Sequence, residues 1–210
     1  MINDSLAAIS DEVRGCARCD LHIGARNAVP GSGDPHAEVF LVGEAPSLYD
    51  DRKGYPFSGP SGAFLDELLA LAGLSRADVY LTNLVKHRSP ESRELLPGEI
   101  AACADYLTRQ IAVVNPKVIV ALGRGALARF LPGAKISQVH GQAKLAGGRI
   151  VVAMYNPAAA LHREELRATV EDDFRRALAA ALAEARRLSA EGKLIPPADQ
   201  PPPPQQMTLF

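Results

Sequence analysis

The sequence predicts an α/β fold in three layers, α/β/α, built on a central four-stranded parallel sheet. Three observations carry this expectation. Four short runs, "EVFLVGE" at 38–44, "DVYLTNLV" at 78–85, "KVIVALG" at 117–123 and "RIVVAMY" at 149–155, are apolar almost throughout. Continuous runs of this kind belong to strands covered on both faces, as in parallel sheets. Helical patterns separate them, as right-handed crossovers require. The 210 residues, 47% of them hydrophobic, suffice for a substantial core, and no apolar run reaches the roughly 18 residues of a membrane span.

The elements follow in chain order. The start "MINDSLAAISDEVRG" lacks the basic head and apolar core of a signal peptide, so a cytoplasmic protein is expected. Thiols stay reduced there, which favours a metal site over a disulfide for the two cysteines of "GCARCDLH", Cys16 and Cys19. Residues 59–62 lead into a helix at about 61–73 that Gly73 ends, and Pro97 with Glu99 opens another reaching Asn115 before Pro116. Residues 164–191 form one long Ala-, Glu- and Arg-rich helix whose alternating charges make a solvated face. Six of the nine residues 196–204 are proline, so residues 195–205 form an extended spacer outside a domain spanning 1–194. A net charge of −1 argues against a strongly basic histone-like binder, leaving nucleic-acid contact to a local patch.

Open parallel sheets bind ligands outside the carboxyl ends of their strands. Those ends carry Glu44, Asn83, Gly123, and Tyr155 with Asn156. The loop "GEAPSLYDDRKGYPFSGPSG" at 43–62 sets Glu44 beside the flat face of Phe57. By themselves these residues equally suit a glycine-rich turn with a surface carboxylate and a core phenylalanine. Asn83 read alone suits a turn or cap.

Taken in order, "GEAP", "GYPFSGPSG", "YLTNLVKHR", "PKVIVALG" and "MYNPAAAL" resemble the uracil-DNA glycosylase superfamily, and most nearly its iron-sulfur branch, family 4. The resemblance covers about residues 16–163. It implies a monofunctional glycosylase of DNA base excision repair, a hydrolase that flips uracil, the product of cytosine deamination, out of DNA and leaves an abasic site. It places Phe57 as the stacking ring and Asn83 as the reader of the base edge. The amide accepts from uracil N3–H and donates to O4, a pattern cytosine inverts. Glu44 corresponds to the acidic residue that steadies the cationic sugar or orients water. Backbone N–H groups of the 43–47 turn, Ala45 among them, are expected to hold the base, and Tyr49 to narrow the pocket against a thymine methyl or cover the loop.

Three departures stand out. The family has His-Pro after the last strand, and this chain has Asn156-Pro157, a neutral donor that cannot carry imidazolium charge. His162 is the alternative donor, or else a loop residue facing DNA. Ser47 and Leu48 replace the Gly and acidic residues common after "GEAP". Where the family has its third cluster cysteine this chain has His87, so the resemblance implies a [4Fe-4S] cluster on Cys16, Cys19, His87 and Cys103, with zinc as the alternative. Such a centre would pin the N-terminal arm to the 84–103 segment and present Lys86 and Arg88 to phosphates. Leu161 is the expected wedge into the vacated base stack, with Arg163 toward the backbone. The chain ends in "QMTLF", resembling the peptides that dock on the bacterial sliding clamp, with Gln206, Leu209 and Phe210 as the contacts. A nucleoid-associated monomer is expected. Two other readings stand beside uracil excision: a glycosylase for hypoxanthine or xanthine, and a clamp-tethered binder of damaged bases with impaired catalysis.

Overall fold

The computed structural model describes residues 5–194. The proline-rich spacer and the clamp-peptide residues Gln206, Leu209 and Phe210 lie outside the described residues.

The four expected runs form parallel strands: β2 (Val39–Gly43), β3 (Val79–Asn83), β4 (Val118–Leu122) and β6 (Arg149–Met154). The sheet is nevertheless six-stranded, in the order β1-β3-β2-β4-β6-β5. The two added strands, β1 (Ser32–Gly33) and β5 (Ala143–Ala146), pair antiparallel on the two edges. Neither was readable as a strand: β1 has two residues and β5 has three exposed residues of four, so neither carries an apolar run.

Alternate residues of the parallel strands serve opposite faces, as the period of two dictates. Val39, Leu41, Val79, Leu81, Val118, Val120, Ile150 and Val152 pack under α3 (Pro60–Leu71), α7 (Pro157–His162), α8 (Arg167–Asp173) and α9 (Ala179–Ala190). Phe40, Val42, Tyr80, Ile119, Ala121, Val151 and Ala153 pack under α4 (Pro97–Val114), α5 (Arg124–Phe130) and α6 (Ile136–Val139). Among the described residues the remaining α-helices are α1 (Leu6–Arg14) and α2 (Leu48–Lys53).

Local chemistry sets the boundaries. Pro60 and Pro97 sit in the first turns of α3 and α4, where a missing N–H costs nothing. Glu99 reaches back to accept from the Leu96 N–H at 2.8 Å. Asn115 closes α4 in the left-handed region, φ 50°, ahead of Pro116. The C-terminal helix departs from the single helix expected: a π-helical turn, Phe174–Leu178, joins α8 to α9. Arg186 of α9 donates to Glu38 at 2.6 Å, and Lys117 meets the same carboxylate at 2.6 Å, tying the helix to the N-terminal edges of β2 and β4. Among the described residues no helix is long and apolar enough to cross a membrane.

Topology locates the crevice. The crossover from β2 to β3 runs over one face and those from β3 to β4 and from β4 to β6 over the other, so the winding reverses between β2 and β4. Chain segments diverge there at the carboxyl ends, leaving room for a ligand.

Candidate active site

Gly43 and Asn83 end neighbouring strands and stand opposite one another in the ladder. A β-carbon on Gly43 would overlap Asn83 Oδ1 and come within 3.0 Å of Phe57 Cζ. Only a glycine lets the amide and the ring meet at this point. Glu44 crosses the reversal toward β4, its Oε2 lying 2.9 Å from where a β-carbon on Gly125 would stand. Asn156 borders Gly123, with 3.4 Å between its Cβ and the corresponding position there. Phe57, Asn83, Glu44 and Asn156, drawn from three separate segments, thus border one end of the sheet.

Asn83 is 2% exposed, and its Nδ2 has no hydrogen-bond partner. A buried donor left in that state costs about 1–3 kcal/mol. Such a group calls for an acceptor from outside the chain, an ordered water or a bound ligand.

The backbone beneath Asn83 is held by Lys86. Its Nζ donates to the Asn83 carbonyl at 2.8 Å, to Thr82 Oγ1 at 2.7 Å and to Gln110 Oε1 at 2.8 Å. Lys86 is wholly buried, and burial draws its ammonium down to about 7. The expected phosphate contact of Lys86 is therefore corrected: an ammonium with three internal partners and no exposed surface cannot meet DNA. Arg88 is half-buried, 3.9 Å from Asp51, its Nε without a hydrogen-bond partner.

Phe57, 6% exposed, has φ 52°. On one side of it, buried Asp50 accepts from the Ser58 N–H at 2.7 Å and the Ser58 hydroxyl at 2.9 Å. Arg76 donates to the Phe57 carbonyl from the other side at 2.6 Å. Tyr49 lies over Gly59 on this loop, 2.6 Å from the β-carbon position, and is 47% exposed. The Ala45 side chain turns away, packing against the cysteine cluster.

Asn156 caps α7. Its Oδ1 accepts from the Ala158 N–H at 3.0 Å, which leaves Nδ2 as the end of the amide not used by the cap. Leu161, His162 and Arg163 follow at the exposed end of that helix and just past it.

Cys16, Cys19 and Cys103 converge in a third cluster, between α1 and α4, with Ile9, Val13, Leu21, Val85 and Tyr106. Burial pushes the Cys103 thiol up; the Lys86 N–H bonded to its sulfur opposes this, and the nearby Cys19 and Cys16 add to it. Tyr106 is pushed up to about 12 by burial and its hydrogen bond to Cys16. His87 is 5% exposed; burial and the neighbouring His22 lower its pKa against the pull of Asp51, favouring the neutral imidazole that binds metals. Three thiols and an imidazole suit an iron-sulfur cluster or zinc by donor type. Among the described residues no three of His, Cys, Asp and Glu are gathered around the position of a single ion. Arg109 to Glu12 at 2.6 Å, and Arg18 over the Tyr106 ring at 4.3 Å, fasten the arm to α4.

Sequence reasoning missed Arg76, the network of Thr82, Lys86 and Gln110, and the Asp50–Ser58 tie. None had a local signal: Arg76 reads as a surface residue of "GLSRADVY", and its partners lie 10 to 20 residues away.

A family model described as "Uracil DNA glycosylase superfamily" matches residues 30–182. The chain is 44% identical over 183 residues to a type-4 uracil-DNA glycosylase of Archaeoglobus fulgidus, covering 82% of this chain and 92% of that protein. It is 42% identical over 183 residues to the type-4 enzyme of Saccharolobus solfataricus, covering 82% and 85%. Against the type-4 enzyme of Thermotoga maritima identity is 40% over 174 residues, covering 80% and 91%.

Proposed function

This chain belongs to the uracil DNA glycosylase superfamily, and on that premise we propose that it excises uracil from DNA in repair, hydrolysing the N-glycosidic bond and leaving an abasic site. The observation that carries the reading is the buried, unpartnered Nδ2 of Asn83 beside the Phe57 ring.

The flipped base lies against Phe57. Asn83 Nδ2 donates to uracil O4 and Oδ1 accepts from N3–H. Cytosine brings a donor to one atom and an acceptor to the other, leaving both buried groups unpaired, a mismatch worth roughly 10⁴-fold or more in discrimination. As the bond to C1′ breaks, positive charge grows on the sugar and negative charge on the base. Glu44 faces the first and orients the attacking water. Asn156 Nδ2 donates to O2 as the second develops. Lys86, three residues past Asn83, is no nucleophile toward the sugar, because its Nζ is committed to internal partners.

Asn156→Asp keeps the oxygen that caps α7 but replaces the donor with an acceptor. Its excision rate is expected to fall roughly 100-fold or more with the melting temperature nearly unchanged. Asn156→Ala loses the cap as well and should melt lower by an amount matching about 1 kcal/mol. Single-turnover rates and melting curves separate the two; an Asn156→Asp enzyme at full rate removes this residue from the leaving-group role.

Cys16, Cys19, Cys103 and His87 would hold a [4Fe-4S] cluster, with zinc as the alternative. Such a group would supply a structural cross-link between the arm and α4. Leu161, Arg163 and Arg88 would face the duplex, and His162, exposed at the end of α7, would join them in preference to the leaving-group role. Gln206, Leu209 and Phe210 would tether the monomer to a sliding clamp.

The test is an oligonucleotide panel carrying uracil, hypoxanthine, xanthine or cytosine, single- and double-stranded. Scission by alkali is expected at uracil and not at cytosine. Binding without scission would favour the impaired binder, and scission at hypoxanthine alone would move the substrate to another deaminated base.

A further inference from the structure

Phe57 occupies the left-handed region, φ 52°, where a side chain costs about 1–2 kcal/mol. A strained residue persists only where its surroundings over-determine it. We infer that Arg76 is a positioning residue that holds the Phe57 ring against the base pocket, an inference resting on the stacking role proposed above.

Arg76 opens the short helical turn Arg76–Asp78 ahead of β3. Its Nη2 donates to the Phe57 carbonyl at 2.6 Å and to the Gly62 carbonyl at 3.1 Å; Nη1 reaches the Pro56 carbonyl at 3.4 Å. Nε is anchored on Asp66 Oδ1 at 2.6 Å. One planar guanidinium therefore spans both ends of the loop that presents the ring. Gly62 permits this closeness: a β-carbon there would overlap the Phe57 carbonyl oxygen and lie 2.8 Å from Arg76 Nη2. Asp50 fixes Ser58 from the other side, and Lys53 Nζ donates to the Ser58 carbonyl at 3.1 Å. The backbone at residue 57 is thus gripped on both flanks, and its ring tip ends 3.0 Å from the β-carbon position of Gly43, beside Asn83.

Without the guanidinium, the carbonyls of residues 56, 57 and 62 lose a shared donor and the loop is free to relax toward negative φ. That rotation swings the ring away from Asn83. A displacement of about 1 Å at a reacting site costs on the order of 100-fold in rate. A lysine cannot substitute, because a single ammonium has no planar fork to span these acceptors.

The test uses the full chain with Arg76→Ala, Arg76→Lys, Phe57→Leu and the double variant Phe57→Leu/Arg76→Ala. The Arg76 side chain is 32% exposed, so its loss opens no large cavity, and melting curves verify folding of each variant. Single-turnover excision by Arg76→Ala is expected to slow about 100-fold, with affinity for undamaged duplex unchanged. Arg76→Lys should recover little, while millimolar guanidinium ion added to Arg76→Ala should restore several-fold. In the Phe57→Leu background the Arg76→Ala change should cost under about threefold, since the ring it positions is gone. Equal losses in both backgrounds, or no response to guanidinium, would overturn the inference and leave Arg76 a purely structural residue. A Phe57→Leu enzyme at full rate would instead remove the stacking role, and with it the assignment of Arg76.

Discussion

Asn83→Leu is expected to reduce uracil excision by at least about 100-fold while making the protein more stable. The rate falls because both hydrogen bonds to the base edge vanish, each worth roughly 10–100-fold when desolvated in a closed pocket. Stability rises because the buried Nδ2, which lacks a partner, is replaced by an apolar group of similar size. Relief of about 1–3 kcal/mol follows. In a protein of 210 residues that raises the melting midpoint by roughly 2–12 °C. The opposed signs are the diagnostic. A structural asparagine would lose stability on substitution, and a bystander would keep its rate. Lys86 keeps the Asn83 carbonyl either way, so the backbone should not shift. Excision at the wild-type rate, or a lowered midpoint, would remove Asn83 from the base-reading role.

Cys103→Ala is expected to strip the metal and loosen the N-terminal arm. Cys103 sits in α4 in one cluster with Cys16 and Cys19, so on the proposed metal site its loss removes the ligand that ties the 16–19 segment to α4. A tightly held group contributes about 3 kcal/mol or more to the folded state at ligand excess far above its dissociation constant. The midpoint should fall by roughly 6–12 °C. The visible absorption of thiolate-ligated iron should vanish and iron content drop to zero. Proteolysis should then cut between α1 and β1 first. At low temperature the remaining enzyme should keep excision within about tenfold, because Glu44, Phe57 and Asn156 lie on other segments. Zinc in the purified wild-type protein would overturn the cluster, and an unaltered melting point in Cys103→Ala would overturn the cross-link.

The parallel strands and their helices were legible because burial on both faces leaves a signature in every strand: a short run that is apolar almost throughout. The edge strands were not, since β1 and β5 hold their places through backbone pairing, which leaves no apolar run in the sequence. The site divides in the same way. Glu44, Asn83 and Asn156 announced themselves as polar residues closing apolar runs. Lys86 misled, because a lysine in a loop reads as a surface charge until Thr82 and Gln110 are seen to enclose it.

The order and spacing of the motifs, together with the covered strands, determined by themselves that this is an α/β chain with a ligand crevice at the strand ends and a family chemistry to match. Tertiary structure alone decided which groups are bare and which are spoken for. Asn83 Nδ2 is unpartnered, the Lys86 ammonium is committed, and Asn156 gives its oxygen to a helix cap. The physical reason is that solvation and hydrogen bonding depend on neighbours distant in the chain. A sequence states which donors exist; packing settles which of them water or another residue has already taken.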